Sequence, residues 1–399
     1  MRIAFISWWW PYPANNGSRI RIYNLLRHLG QRHQVTLLSF AEQDEATPEQ
    51  IEHLRQFCAH VEVVPKLTYQ PDTFKSLVGY LSRWPRSLVD VYSPIMTALV
   101  KDLANSGTLD AIIASEFQTI RYLEAAPTTP AILDQIEVTS FYDRVKNAEG
   151  QASKLRAQLT VSKLEGALKG LLARGVAFSV VSEEEKRLQE RFSPPGGRIE
   201  VVPNGVDTEA NQPDAGMTIH PNTIIYTGAV TYFANLDAVE YFIKDVFPLV
   251  RARVPHAQFS VTGGTGNVDV SALKAQPGVV FTGYLPSVAP AVQASWVNVV
   301  PLRVGSGTRL KILESMALGV PVVSTTKGAE GLNVHHGEDI LIADTPQALA
   351  DAVVLLMNDD ALRARLVKAG RALVEREYDW GVIAAQLNEL LLKTTKQSP

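Results

Sequence analysis

Thirteen short β-rich runs, most of them apolar on both faces and separated by helical stretches, constrain this chain more than any other feature. In the first half they are Arg2–Ser7, Val35–Phe40, Val61–Val64, Ala111–Ser115, Ala131–Asp134, Ala177–Ser182 and Ile199–Val202. In the second half they are Thr223–Gly228, Gln258–Thr262, Val279–Thr282, Val297–Pro301, Pro321–Ser324 and Ile340–Ile342. A strand that faces water on one side alternates polar and apolar residues; most of these do not. They therefore read as parallel strands covered by helices on both sides. Strands alternating with helices imply right-handed crossovers and open sheets of the α/β class.

The series runs twice, and 399 residues are too many for one ordinary core. The turn formers Pro203-Asn204-Gly205, followed by a polar stretch to Pro221, mark the junction. The expected division is a first domain over 1–207, a second over 208–379, and a helix in 380–399 that packs back toward the first. Its apolar face runs over Trp380–Leu392, and the polar tail from Lys393 is expected to fray. Ser182 with Glu185 has the capping-box spacing, and Thr345-Pro346 supplies a cap and an N1 proline for a helix over Gln347–Met357.

Several function classes drop out. The formal net charge is −3, so no global basic field draws in nucleic acid. One cysteine, Cys58, permits neither an internal disulfide nor a cysteine-based zinc site. The apolar Ile3–Trp10 precedes Pro11 and Pro13 and reads as a buried strand rather than a signal peptide. No run approaches the roughly 18 apolar residues of a membrane span. The expected location is cytoplasmic, with peripheral placement on the inner face of the cytoplasmic membrane as the variant.

The richest chemistry lies in 299–324. A buried strand enters a glycine loop, the loop enters a helix ending at Gly319, and another buried strand follows. Gly305 and Gly307 let backbone N–H groups approach an anion, and Thr308 is expected to begin a helix whose N-terminus favours a phosphate. Arg309 and Lys311 then fall in the first turn, where a cation costs about 0.3–1 kcal/mol unless an anion offsets it. Glu314 follows Lys311 at i,i+3, so both can face one cleft, and its carboxylate can accept two ribose hydroxyls. The bland alternative is a solvated Lys311–Glu314 pair on an ordinary βα unit.

The stretch Gly305–Ser324 resembles the donor-site signature of glycosyltransferase family four, the retaining GT-B enzymes. Pro203–Asp207 is similar to that family's hinge segment, and Asn16-Gly17-Ser18 to its acceptor loop. Gly228, Gly263-Gly264, Phe281–Tyr284 and Lys327–Leu332 also fall where the family has them. The likeness implies a GT-B fold, two Rossmann-like doubly wound domains facing across a cleft and closing on the donor. It also implies transfer of a hexose-type sugar from a nucleotide-sugar donor to a glycan, polysaccharide or lipid-linked acceptor. Glu314 matches the second of the family's paired glutamates, but Ser306 stands at the first, eight positions earlier. Sugar-hydroxyl contacts then pass to Ser306 and its neighbours Gly307 and Thr308. Many relatives carry an arginine and a lysine after Gly228; Ala229–Asn235 holds no cation. Two phosphates need positive partners, and Arg309 and Lys311 are the candidates. By resemblance Tyr284 and Leu285 flank the base. Neither a metal nor another cofactor is expected, since Asp-x-Asp occurs nowhere.

The acceptor half is read more loosely. Trp8-Trp9-Trp10 forms an aromatic ledge beyond the first strand, with at least one tryptophan expected in the core. The family's histidine positions hold Ser115-Glu116 and Asp134-Gln135, so Glu116 and Asp134 are the candidates for orienting an acceptor hydroxyl, or else cap the helices that follow. Lys66–Arg86 and Arg144–Arg174 mix cations with apolar residues; they suit an anionic lipid surface, or are plain domain helices with solvated cationic faces. Gly263-Gly264-Thr265-Gly266 lacks the last glycine of a dinucleotide fingerprint and reads as a tight turn. The competing functions are a nucleotide-sugar epimerase, a two-domain small-ligand binder and a nucleotide-binding subunit without catalysis.

Overall fold

The computed structural model describes residues 1–305, 307 and 309–396. It divides into two units: Met1–Pro203 together with Ile383–Pro399, and Asn204–Val382. Each is built on one parallel sheet.

In the first unit the strands are β1 (Arg2–Ser7), β2 (Gln34–Ala41), β3 (His60–Pro65), β4 (Ala111–Ser115), β5 (Ala131–Asp134), β6 (Ala177–Val180) and β7 (Ile199–Val201), in the order β3-β2-β1-β4-β5-β6-β7. In the second they are β8 (Thr223–Thr227), β9 (Gln258–Thr262), β10 (Val279–Gly283), β11 (Val297–Val300), β12 (Val322–Ser324) and β13 (Leu341–Ile342), in the order β10-β9-β8-β11-β12-β13. Every pairing is parallel. The central strands are buried apart from the first residues of β1 and β8, as their apolar runs require, and β4 and β11 have no exposed residue. Both units are α/β, and in both the strand order reverses beside the first strand. That reversal leaves a crevice beyond the strand C-termini where open α/β sheets take ligands. It falls between β1 and β4 in the first unit and between β8 and β11 in the second.

Two helix starts repay attention. Thr345 caps Pro346–Asn358 by accepting from the Ala348 amide at 3.2 Å. Ser182 caps Glu183–Glu190 by accepting from Glu185 N–H at 3.3 Å, but the box is not completed. The Glu185 carboxylate instead accepts from Val138 N–H at 2.8 Å and Thr139 N–H at 3.1 Å, satisfying the start of another helix, Thr139–Lys146. The expected fraying from Lys393 is corrected as far as Lys396, and residues 397–399 lie outside the described residues. The helix Trp380–Lys396 continues because Thr394 is 4% exposed and Lys393 pairs with Glu389 at i,i+4.

Tryptophan burial sorts the aromatic ledge. Trp8 and Trp10 lie in the core, whereas Trp9 is half-buried. Cys58 is buried, and burial pushes its thiol up to about 12, so it stays protonated and inert near neutrality.

Candidate active site

In the second unit three loops meet beyond the sheet because glycine stands where each turns. Gly228 follows β8 with φ of 143°, and Gly263 follows β9 with φ of 117°. A Cβ on Gly263 would lie 2.6 Å from the Gly228 carbonyl carbon, so the two loops touch backbone to backbone only without that side chain. Gly263-Gly264 is thus a close-approach turn. Gly305, after β11, has φ of 98°, and a Cβ there would come 2.9 Å from Ala234 Cβ.

The helix after the glycine loop is Leu310–Ala317. This corrects the expected start at Thr308 and moves Arg309 out of the first turn to the position before the helix. The Arg309 side chain folds back, donating to Gly305 O at 3.0 Å and lying 3.5 Å from the Glu330 carboxylate. Glu330 also pairs with Lys327. The expected clash of Arg309 with the helix dipole is therefore relieved within the protein by a carboxylate that sequence reading gave no role. Ser306 and Thr308 lie outside the described residues.

Lys311 does stand in the first turn, and it reaches back toward Gly228. Its Nζ donates to Tyr226 OH at 2.8 Å and Asn235 Oδ1 at 3.1 Å, and lies 3.0 Å from where a Gly228 Cβ would be. Asn235 in turn donates to Ala229 O at 2.8 Å, which ties the ammonium to the loop after β8. Burial pulls the Lys311 ammonium down to about 7, and the neighbouring Arg309 charge adds to that. Burial likewise pushes Glu314 up to about 7, against the pull of Lys311. Among the described residues Lys311 is the charge partner of Glu314, and no hydrogen-bond donor meets its carboxylate. Both side chains are half-buried, with Lys311 tied to Tyr226 and Asn235 rather than extended into solvent. Tyr284 is 78% exposed and Leu285 half-buried, so neither is consumed by core packing.

The first unit has its own crevice. Glu116 follows β4 with φ of 68°, and Gln135 follows β5 with φ of 59°. Non-glycine residues in that region store strain of order 1–3 kcal/mol, a frequent mark of ligand sites. Glu116 Oε2 accepts from Trp9 Nε1 at 2.8 Å. Burial raises the Glu116 pKa, and the nearby Ser18 hydroxyl and Trp9 indole oppose that rise. Glu116 Oε1 and Gln135 Oε1 are both buried without a hydrogen-bond partner among the described residues. Asn16 is occupied as the cap of the helix Gly17–Gly30, accepting from the Arg19 amide at 3.1 Å, and Gly17 opens that helix.

Asp134 is a correction. Its carboxylate is fully buried and clamped by Arg21, with Nε on Oδ2 at 3.0 Å and a second guanidinium nitrogen on Oδ1 at 2.7 Å, while Ser179 also donates to Oδ1. Both of its oxygens are engaged within the protein, and it caps no helix among the described residues. It is a structural ion pair that fastens the Gly17–Gly30 helix to β5, and Arg21 also donates to Pro203 O at 2.8 Å.

Residues 221–359 match the family model described as glycosyl transferases group 1. That match lies within the second unit and spans less than half of the chain. A phosphatidyl-myo-inositol mannosyltransferase of Mycobacterium tuberculosis is 29% identical over 245 residues, 57% of this chain and 62% of the relative. The match thus spans under two thirds of that relative's length. Among solved structures, sucrose-phosphate synthase of Thermosynechococcus elongatus superposes with a TM-score of 0.70 at 19% identity over 98% of both chains. The Anabaena protein HepE, crystallised with UDP and glucose, gives 0.63 at 15% over 98% of this chain and 99% of its own. These structural likenesses show the GT-B fold for this chain. Among the described residues no three His, Cys, Asp or Glu side chains cluster as a metal site, and no helix is long and apolar enough to cross a membrane.

Proposed function

We propose that this chain is a retaining hexosyltransferase that takes its sugar from a nucleoside diphosphate donor and delivers it to a glycan, polysaccharide or lipid-linked acceptor. The observation that carries the reading is the Lys311–Glu314 pair beside Gly228, at the strand-order reversal of the second unit. Lys311 stands in for the absent cations after Gly228 and, with Arg309, neutralises the diphosphate. Glu314, half-buried and without a hydrogen-bond donor among the described residues, accepts the ribose hydroxyls. By resemblance Ser306, Gly307 and Thr308 contact sugar and phosphate, and Tyr284 with Leu285 flank the base. In the first unit Glu116 orients the acceptor hydroxyl, with Ser18 beside it. Rate enhancement comes from positioning and from fixed charges aimed at the leaving diphosphate, so no metal is assigned. The phosphatidyl-myo-inositol and UDP in the relatives' names support the acceptor and donor classes. The working location is cytoplasmic, with peripheral contact to the membrane through the cationic helices of the first unit.

Thermal unfolding with UDP, GDP, ADP, TDP and NAD tests the reading. A ligand at 100 times its dissociation constant stabilises its host by about 2.7 kcal/mol. The expected result is a shift with one nucleoside diphosphate that is lost in Glu314→Ala and Lys311→Ala. A shift with NAD alone, or with none of the five, overturns it.

A further inference from the structure

A cavity of about 490 Å³ lies wholly within the first unit, and its lining joins two chemistries. Glu116 and Gln135 bring the two partnerless buried oxygens, acceptors in the carboxylate and the amide. Arg86, Arg144, Arg156 and Lys163 bring four cations. None of the four has a carboxylate within ion-pair distance among the described residues, although Arg19, Arg83 and Arg253 elsewhere each have one. Arg86 and Lys163 are anchored on backbone: Arg86 donates to Ser76 O at 3.0 Å, and Lys163 to Gly79 O and Tyr80 O at 2.9 and 2.8 Å. Arg144 and Arg156 are exposed and come from successive helices, Thr139–Lys146 and Gln151–Ala173.

Glu116 and Glu137 also line the cavity, so the four cations outnumber its carboxylates; the excess calls for an anion that can accept several N–H bonds at once, and a phosphate monoester does so. Buried oxygens that lack a donor call for hydroxyls. We propose that this cavity holds a phosphate-bearing polyol as acceptor, its hydroxyls on Glu116 and Gln135 and its phosphate on Arg144 and Arg156; this rests on the glycosyltransferase reading and names the acceptor class for it. The phosphate can belong to a soluble sugar phosphate or to a lipid headgroup. Phe74 and Leu81, 83% and 92% exposed on the segment that supplies Tyr80 to the lining, suit the second source.

The test uses the full chain, wild type and the Arg144→Gln/Arg156→Gln double variant, at fixed ionic strength. Calorimetric titration with glycerol 3-phosphate probes the soluble source. Flotation with phosphatidylcholine vesicles, with and without phosphatidic acid, probes the lipid source. Binding to either phosphate monoester, weakened at least about tenfold in the double variant and partly restored by lysine at both positions, supports the proposal. The arm that binds names the source. Absence of binding in both arms, or equal binding by variant and wild type, overturns it. The nucleoside diphosphate shift is measured on the same samples. If it persists while phosphate binding is absent, only this inference fails. If it is missing in wild type, the donor reading fails by itself.

Discussion

Lys311 and Glu314 bring an acid and a base to the same point of the pH scale from opposite directions. Burial disfavours both charges, lowering the lysine and raising the glutamate, each to about 7. A bound diphosphate favours the ammonium, so binding takes up a proton above about 7 and affinity falls as pH rises through it. The carboxylate that accepts ribose hydroxyls is complete only above about 7, so affinity also falls on the acid side. The expected profile of nucleoside diphosphate affinity is bell-shaped near neutrality. Calorimetry in two buffers of different ionisation enthalpy checks it: Lys311→Met removes the alkaline limb and Glu314→Gln the acid limb. The Arg21–Asp134 pair gives a stability prediction. Asp134→Ala leaves a buried guanidinium without its counter-ion and is expected to cost about 3–5 kcal/mol in denaturant unfolding. Asp134 shows where sequence reading stops. Its partner lies 113 positions away, and nothing local announces it. Lys311 and Glu314 were legible because one helix carries both, three residues apart; Tyr226, Asn235 and Glu330 were not, because only the tertiary fold brings them there.

At the level of elements the strands were the legible part. Ala111–Ser115, Ala131–Asp134 and Gln258–Thr262 fall at the expected limits because an apolar run bounded by polar residues fixes both its class and its ends. Helix ends were less so. Glu185 has the spacing to complete its own cap and serves another helix instead, a choice made by packing rather than by the local sequence. Glu185→Ala removes acceptors from one buried and one part-buried amide and is expected to destabilise the first unit by about 1–3 kcal/mol, read by chemical denaturation. The glycine turns make a sharper case. Gly263→Ala adds a Cβ 2.6 Å from the Gly228 backbone at a φ of 117°. The β8 and β9 loops must then part, so both melting temperature and nucleoside diphosphate affinity are expected to drop, the latter although residue 263 contacts no phosphate in the assignment.

For the whole molecule, two hydrophobic cores in two units predict two calorimetric transitions. A nucleoside diphosphate is expected to raise only the transition of Asn204–Val382, because all the donor groups lie there. Removing the chain from Ile383 onward is expected to lower the other transition, since that segment belongs to the first unit. Leu387, Leu390 and Leu391 are buried, and Asn388 Oδ1 lies 2.7 Å from His33 Nε2. The division at Pro203 and Val382 thus makes the first unit discontinuous, with the second inserted into it. This has a consequence for biosynthesis. The stretch Met1–Pro203 leaves the ribosome first yet lacks its closing segment until some 180 further residues have emerged. At about 5–20 residues per second, the inserted unit has roughly ten to forty seconds to fold before its host can close. The part of the protein that is made first is therefore the part that is finished last.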